Sequence, residues 1–166
     1  MRVAIVGAHR NTKGLAPFAD PAWSIWSCSP SNADAAEIPR VDAWFEMHEN
    51  GSGYRSNEQY RKWLELQPVV YMTEHDPSIP GSTVYPKTEI LEEFGPYFFT
   101  CSIAYMQALA ISRNPQEIGI WGVEGRDDRG HQRPGILHFV QTARDRGIKV
   151  TTPPQSRLLD AMKHYG

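Results

Sequence analysis

Extremes of composition are missing from this sequence. Cysteine is scarce: Cys28 and Cys101 are the two among 166 residues, too few for a disulfide framework or a four-thiolate zinc site. No apolar run approaches about 18 residues, which excludes a transmembrane helix. The start, Met1-Arg2-Val3-Ala4-Ile5-Val6-Gly7, has one basic residue and too short an apolar stretch for a secretory signal. Neither sign of charge dominates. Lys and Arg number 17 against 19 Asp and Glu, a formal charge of −2, which argues against a nucleic-acid binder with a basic face. No repeat of about 20 to 50 residues recurs, which argues against solenoids and propellers. The expectation is a cytoplasmic domain that contacts neither nucleic acid nor membrane.

What is present is ordinary globular usage, with 40% hydrophobic and 22% charged residues. The length suits one domain spanning 1–166. Thirteen Gly and thirteen Pro punctuate short segments instead of forming a linker, as in a chain of alternating strands and helices.

Apolar runs predict strands over Arg2–Val6, Ala22–Cys28, Asp42–His48, Val69–Thr73, Glu117–Gly122 and Ile148–Thr151. Between them fall helical patterns. Ser56-Asn57-Glu58-Gln59 matches a capping box ahead of the stripe Tyr60, Trp63 and Leu64. Thr100 to Arg113 places Ile103, Met106, Ala110 and Ile111 inward, and Asn114-Pro115 ends it. Pro134 opens a helix with Ile136, Phe139, Val140 and Ala143 at i, i+3, i+4 and i+7, and a short helix from Ser156 to His164 closes the chain. The segment 74–99 reads as irregular and lid-like, with one or two helical turns around Thr88 to Phe94. Strands apolar on both faces, alternating with helices, predict an α/β Rossmann-like three-layer sandwich around a mostly parallel sheet of about six strands.

In such a sheet a ligand lies at the carboxyl ends of the strands, and polar, titratable residues concentrate there. Gly7, Ala8, His9, Arg10 and Thr12 follow the first strand, and Ser29 and Asn32 follow the second. Glu46, His48 and Glu49 end the third, Glu74 and His75 follow the fourth, and Glu124, Asp127, Asp128, His131 and Arg133 follow the strand ending at Gly122. Gly7 with Gly14 matches neither G-x-G-x-x-G nor G-x-x-x-x-G-K-[ST], which disfavours a standard dinucleotide oxidoreductase and a P-loop kinase. The helix opening at Thr100-Cys101-Ser102 has no Glu or Gln to complete a capping box, so its amides and dipole suit a phosphate. Glu124 is a candidate for a ribose hydroxyl or a divalent ion, and His131 for a general base. Neither cysteine carries a nucleophile signature, and no H-E-x-x-H or C-x-x-C spacing supports a structural metal.

Phe98-Phe99-Thr100-Cys101-Ser102-Ile103-Ala104-Tyr105-Met106, with Glu117-Ile118-Gly119-Ile120-Trp121-Gly122-Val123-Glu124, resembles the Thr-Ser-Gly helix opening and the strand ending Gly-(Ile/Val)-Asp of two groups. One is the small bacterial sialyltransferases that use CMP-sialic acid, and the other the archaeal hydroxymethyldihydropterin diphosphokinases. The Gly7-Ala8 opening, Cys28-Ser29-Pro30, the run Phe94 to Thr100 and Gln132-Arg133-Pro134-Gly135 also resemble small Rossmann-like proteins of tailed phages and prophages, which would place the chain in host cytoplasm. The transferase resemblance implies that Thr100 and Ser102 touch nucleotide phosphate or sugar, and that Glu124 stands in an aspartate's place. Cys101-Ser102 replaces Ser-Gly, which narrows the approach of backbone to ligand, and acceptor recognition does not carry over.

The leading expectation is a transferase moving a glycosyl or diphosphoryl group from a nucleotide or nucleotide sugar to a small acceptor. Phosphates or the rest of the nucleotide would meet Thr100, Cys101 and Ser102, Gly7 to Thr12, and Gly122. Ser29, Asn32 and Glu124 would hold base or ribose, and His131 would take the acceptor proton. Glu46, His48, Glu74 and Arg133 would face the acceptor. Mg²⁺ would accompany the diphosphokinase version only. A nucleoside or NAD N-glycosidic hydrolase or deoxyribosyltransferase, with Glu46, Glu49 or Glu74 beside the ribose, is the alternative enzyme. A non-catalytic phage accessory protein binding a nucleotide signal or a host protein is the alternative from another class, and a homo-oligomer stays open.

Overall fold

The strands β1 (Arg2–Val6), β2 (Trp23–Cys28), β3 (Ala43–Glu46), β4 (Val70–Met72), β5 (Ser82–Val84), β6 (Glu117–Trp121) and β7 (Lys149–Thr151) form one sheet. The structure is a computed structural model that describes residues 1–49, 53–124 and 131–162. Neighbouring strands pair in parallel throughout, in the order β5-β4-β3-β2-β1-β6-β7. The chain walks outward from β1 to β5 and then returns to lay β6 on the other side of β1. The connections leaving β1 and β6 therefore diverge, and divergence at a strand-order switch opens a crevice at the carboxyl ends.

Parallel strands need covering on both faces, and β1 shows how the sequence supplies this. Val3 and Ile5 point to one face, Ala4 and Val6 to the other, and all four are fully buried. The helices α3 (Lys87–Phe94), α4 (Ser102–Ser112) and α5 (Gln132–Asp145) contribute Ile90, Ala104, Leu109 and Phe139 to the core over Val3, Ile5, Trp26 and Phe45. On the opposite face α2 (Glu58–Glu65) sets Tyr60 and Leu64 against Trp44, Val70 and Met72. This is the predicted three-layer α/β sandwich, with seven strands where about six were expected.

The seventh strand lies inside the segment read as irregular. Residues 74–99 contain β5 and all of α3, and Ile79 and Tyr85 are buried. Ser82-Thr83-Val84 escaped notice because it is a polar edge strand of three residues, half-buried or exposed, with no apolar run. Other boundaries moved for local reasons. The cap of α2 is Asn57, whose side chain accepts from the Tyr60 amide, and not Ser56. The α4 helix begins at Ser102 with Cys101 as N-cap. The α5 helix starts two residues before Pro134, which sits in the first turn where an amide hydrogen has no intrahelical partner. A short helix, α1 (Arg10–Lys13), occupies the loop after β1, and the closing helix is a 3₁₀ turn over Leu158–Met162. Among the described residues no helix is long and apolar enough to cross a membrane.

Candidate functional site

The crevice is floored by two glycines. Beyond β1 and β6 the Gly7 amide donates to the Trp121 carbonyl at 2.8 Å, and the His9 amide to the Gly122 carbonyl at 2.8 Å. A Cβ on Gly7 would lie 2.4 Å from the Gly122 oxygen, and one on Gly122 would lie 2.3 Å from the Gly7 oxygen. Gly122 also has a φ of +63°, a conformation that side-chain-bearing residues rarely adopt. Fully buried Thr12 secures this join, accepting from the Gly122 amide at 2.9 Å and donating to Glu124 Oε1 at 3.4 Å. Glu124 Oε2 accepts from the Arg157 amide at 3.1 Å, and His9 Nδ1 stands 3.9 Å from Oε1.

Above this floor lies a cleft of about 890 Å³. Its walls are the segments that leave the strands: Gly7 to His9, Cys28 to Pro30, Glu46 to His48, and Gly122 to Glu124. Residues 99–103 and 131–133 complete it. Ser29 leaves β2 with a φ of +84° just before Pro30, a strained conformation for serine that tends to mark a working site.

Two helix starts meet here. Cys101 caps α4 and His131 caps α5, and neither side chain takes an amide of its own helix. First-turn amides point out along a helix axis and carry the positive end of its dipole, so both starts favour an anion in the shared cleft. Thr100 Oγ1 joins them by donating to the Gln132 carbonyl at 2.9 Å. Gly135 permits this closeness, because a Cβ there would lie 2.1 Å from the Phe98 oxygen and 2.3 Å from Thr100 Oγ1.

The wall after β3 is built differently, around a buried carboxylate. Glu46 is 1% exposed, and charge at that depth must be paired. Its Oε2 accepts from the Tyr60 hydroxyl at 2.6 Å, and that hydroxyl accepts from Trp44 Nε1 at 2.9 Å. Its Oε1 accepts from the His48 amide at 3.1 Å and also meets His48 Nδ1. Burial, and next the charge of Glu46, push the Tyr60 phenol far up, so it remains a donor. Burial pushes the Cys28 thiol up to about 12, with Cys101 and Glu46 adding to it, so Cys28 is an inert neutral wall residue.

Of the residues expected at the site, Gly7, Ala8, His9, Ser29, Glu46, His48, Thr100, Cys101, Ser102, Gly122, Glu124, His131 and Arg133 line this cleft. Arg10, Thr12, Asn32 and Glu74 do not. Thr12 and Asn32 are fully buried and serve the fold. The Asn32 amide donates to Ser27 Oγ at 3.2 Å and the Cys28 carbonyl at 3.1 Å, and Oδ1 accepts from Lys13 Nζ at 3.2 Å. With their donors committed and their side chains wholly buried, neither can meet a ribose. Arg10 lies exposed on α1, and Glu74 is exposed beyond β4, with two strands between it and β1. Thr100 lines the cleft, but its hydrogen is committed to Gln132. Asp127 and Asp128 lie outside the described residues. Tyr60, Gly135 and the Arg157 amide were missed by reasoning from strand ends, since none of them follows an apolar run.

Glu46 and Glu124 are the carboxylates of the cleft among the described residues, and protein donors occupy the oxygens of both. Among the described residues no group of His, Cys, Asp and Glu side chains is placed to hold a metal ion.

No family model and no curated protein matches the chain. Solved structures do. The sialyltransferase CstII from Campylobacter jejuni, in complex with the substrate analogue CMP-3FNeuAc, superposes with a TM-score of 0.67 at 14% identity, over 96% of this chain and 84% of that one. The sialyltransferase CST-II in complex with a trisaccharide acceptor and CMP gives 0.64 at 13% identity, over 96% and 84%. Thiamine pyrophosphokinase from Bacillus subtilis gives 0.55 at 14% identity, over 92% of this chain and 60% of that one. At such identities the likeness is one of fold, shared here with a sialyltransferase and a pyrophosphokinase.

Proposed function

We propose that this chain is a nucleotide-dependent transferase, moving a glycosyl or diphosphoryl group from a nucleotide donor to a small acceptor. One observation carries the reading: two helix starts, whose N-cap residues Cys101 and His131 take no amide of their own helix with their side chains, open side by side into the cleft at the strand-order switch. The nucleotide phosphates would rest on Cys101 and Ser102 of the α4 start and on the Gly7 to His9 turn. His131 and Arg133, at the α5 start, would face the departing phosphate, where developing negative charge is best stabilised. Ser29 would meet base or ribose. Glu124 braces the floor and the Arg157 segment, since its oxygens already accept from protein.

The shared fold of a sialyltransferase described in complex with the substrate analogue CMP-3FNeuAc supports a nucleotide-sugar donor over a diphosphate donor. The N-glycosidic alternative needs an open carboxylate beside the ribose. Glu46 has both oxygens engaged, and Glu49 and Glu74 do not line the cleft.

Isothermal titration of the intact protein against nucleoside mono-, di- and triphosphates and nucleotide sugars tests the proposal. Binding by at least one of them is expected, and Ser102→Asp should weaken it by about tenfold or more through repulsion at the helix start. No binding to any of them overturns the reading. A nucleotide bound and recovered unchanged would instead favour a non-catalytic binder.

A further inference from the structure

Glu46 and His48 are held in one hydrogen-bonded arrangement at the cleft wall. Trp44 Nε1 can only donate, so the Tyr60 oxygen accepts from it and the Tyr60 hydrogen goes to Glu46 Oε2. The His48 amide hydrogen goes to Oε1. With both carboxylate oxygens accepting, the contact between Oε1 and His48 Nδ1 is satisfied by a hydrogen on Nδ1. That assigns the tautomer, and the lone pair of a neutral ring then sits on Nε2. The His48 side chain is 55% exposed and lines the cleft, so Nε2 is the nitrogen left for a ligand. Gly53, which also lines the cleft, leaves room for the pair: a Cβ there would lie 2.6 Å from His48 Nδ1 and 2.7 Å from Glu46 Oε1.

From this geometry we infer that His48 is the base that takes the acceptor's proton, that Glu46 is its positioning residue, and that the acceptor is an alcohol. The inference rests on the transferase reading above and deepens it. A hydroxyl holds its proton tightly near neutral pH and needs a base as it attacks, whereas a phosphate or carboxylate acceptor is already ionised and would leave an oriented imidazole without work. In the step, the acceptor oxygen bonds to the transferred carbon or phosphorus while the bond from that atom to the nucleotide's phosphate oxygen breaks. The electron pair leaves on that oxygen, toward the helix starts. The hydroxyl proton passes to His48 Nε2 and from there to solvent. This moves the base from His131, on the phosphate side, to the opposite wall. His9, the remaining cleft imidazole, stands 3.9 Å from Glu124, beyond hydrogen-bond reach.

The test uses the full chain with the nucleotide sugar that binds it, CMP-sialic acid included among those tried, and with water, glycerol and simple sugars as hydroxyl acceptors. Release of the nucleotide is followed in wild type, His48→Gln, His48→Ala with added imidazole, and His75→Gln, an exposed histidine outside the cleft. His48→Gln should lower kcat by about 100-fold or more with nucleotide affinity held within about threefold. Imidazole should restore part of the His48→Ala rate, and His75→Gln should match wild type. For Glu46, proton NMR should show an Nδ1–H resonance of His48 shifted strongly downfield, lost in Glu46→Gln even where that variant keeps the wild-type melting curve. Wild-type turnover by His48→Gln, or a donor recovered intact with every hydroxyl acceptor, overturns the assignment while leaving nucleotide binding standing. Absence of binding by the wild type overturns the transferase reading itself, and the assignment with it.

Discussion

Gly7 and Gly122 each occupy the space where the other's Cβ would have to be. The two carbonyls lie 2.4 and 2.3 Å from those imagined atoms, so the tips of β1 and β6 join backbone to backbone. The cleft exists because of that join: any side chain there would push apart the strands whose connections diverge around it.

Gly7→Ala and Gly122→Ala should each destabilise the fold by about 2–4 kcal/mol, from overpacking and, at Gly122, from its positive φ. Gly14→Ala is the contrast, because nothing lies within 4 Å of its Cβ position and its φ is −65°. That change should be neutral or stabilise by up to about 1 kcal/mol. Urea denaturation of the three variants checks the ordering.

Glu124 ties the floor to the chain's last segment through the Arg157 amide. Glu124→Ala should cost about 1–3 kcal/mol, since it orphans the buried Thr12 hydroxyl hydrogen as well. Hydrogen exchange at the Arg157 amide should quicken more than exchange in the central strands.

Tyr60→Phe removes the shared link between Trp44 and Glu46. With Glu46 Oε2 and Trp44 Nε1 both losing a partner, the loss should be about 2–4 kcal/mol. Trp44→Phe combined with Tyr60→Phe should destabilise by less than the sum of the two single changes, which a double-mutant cycle on denaturation midpoints reads directly.

Asp76 contributes to the acid limb. The Ser78 hydroxyl at 2.6 Å, then the Tyr54 phenol at 2.5 Å and the Ser78 amide at 2.9 Å, hold its carboxyl down to about 2. A lowered folded value contributes stability that is complete above the ordinary 3.8 and disappears as pH falls through about 2. Asp76→Asn should therefore lose about 1 kcal/mol near neutral pH, a modest figure because the site faces solvent. Its stability should also vary less than that of wild type across that acid window.

Reading strand ends located most of the cleft, and the reason is geometric. In a parallel sheet every strand finishes at the same edge, so loops such as Gly7 to His9 and Glu46 to His48 converge without any knowledge of strand order. The same reasoning misplaced Thr12 and Asn32. Both stand in the right loops, but their short polar side chains were drawn inward to satisfy Gly122, Ser27 and Cys28, and a loop's sequence does not announce which of its groups a neighbour will claim.

The apolar runs Val3 to Val6, Ile25 to Cys28 and Ile118 to Trp121 determined by themselves that this is a parallel sheet buried on both faces, because periodicity and propensity act within a few residues. Only the tertiary structure decided that β6 returns beside β1, that Gly7 meets Gly122, and that Tyr60 comes back from α2 to hold Glu46. Those pairings join residues far apart in the chain, and they depend on how burial and hydrogen bonding are satisfied over the whole molecule at once.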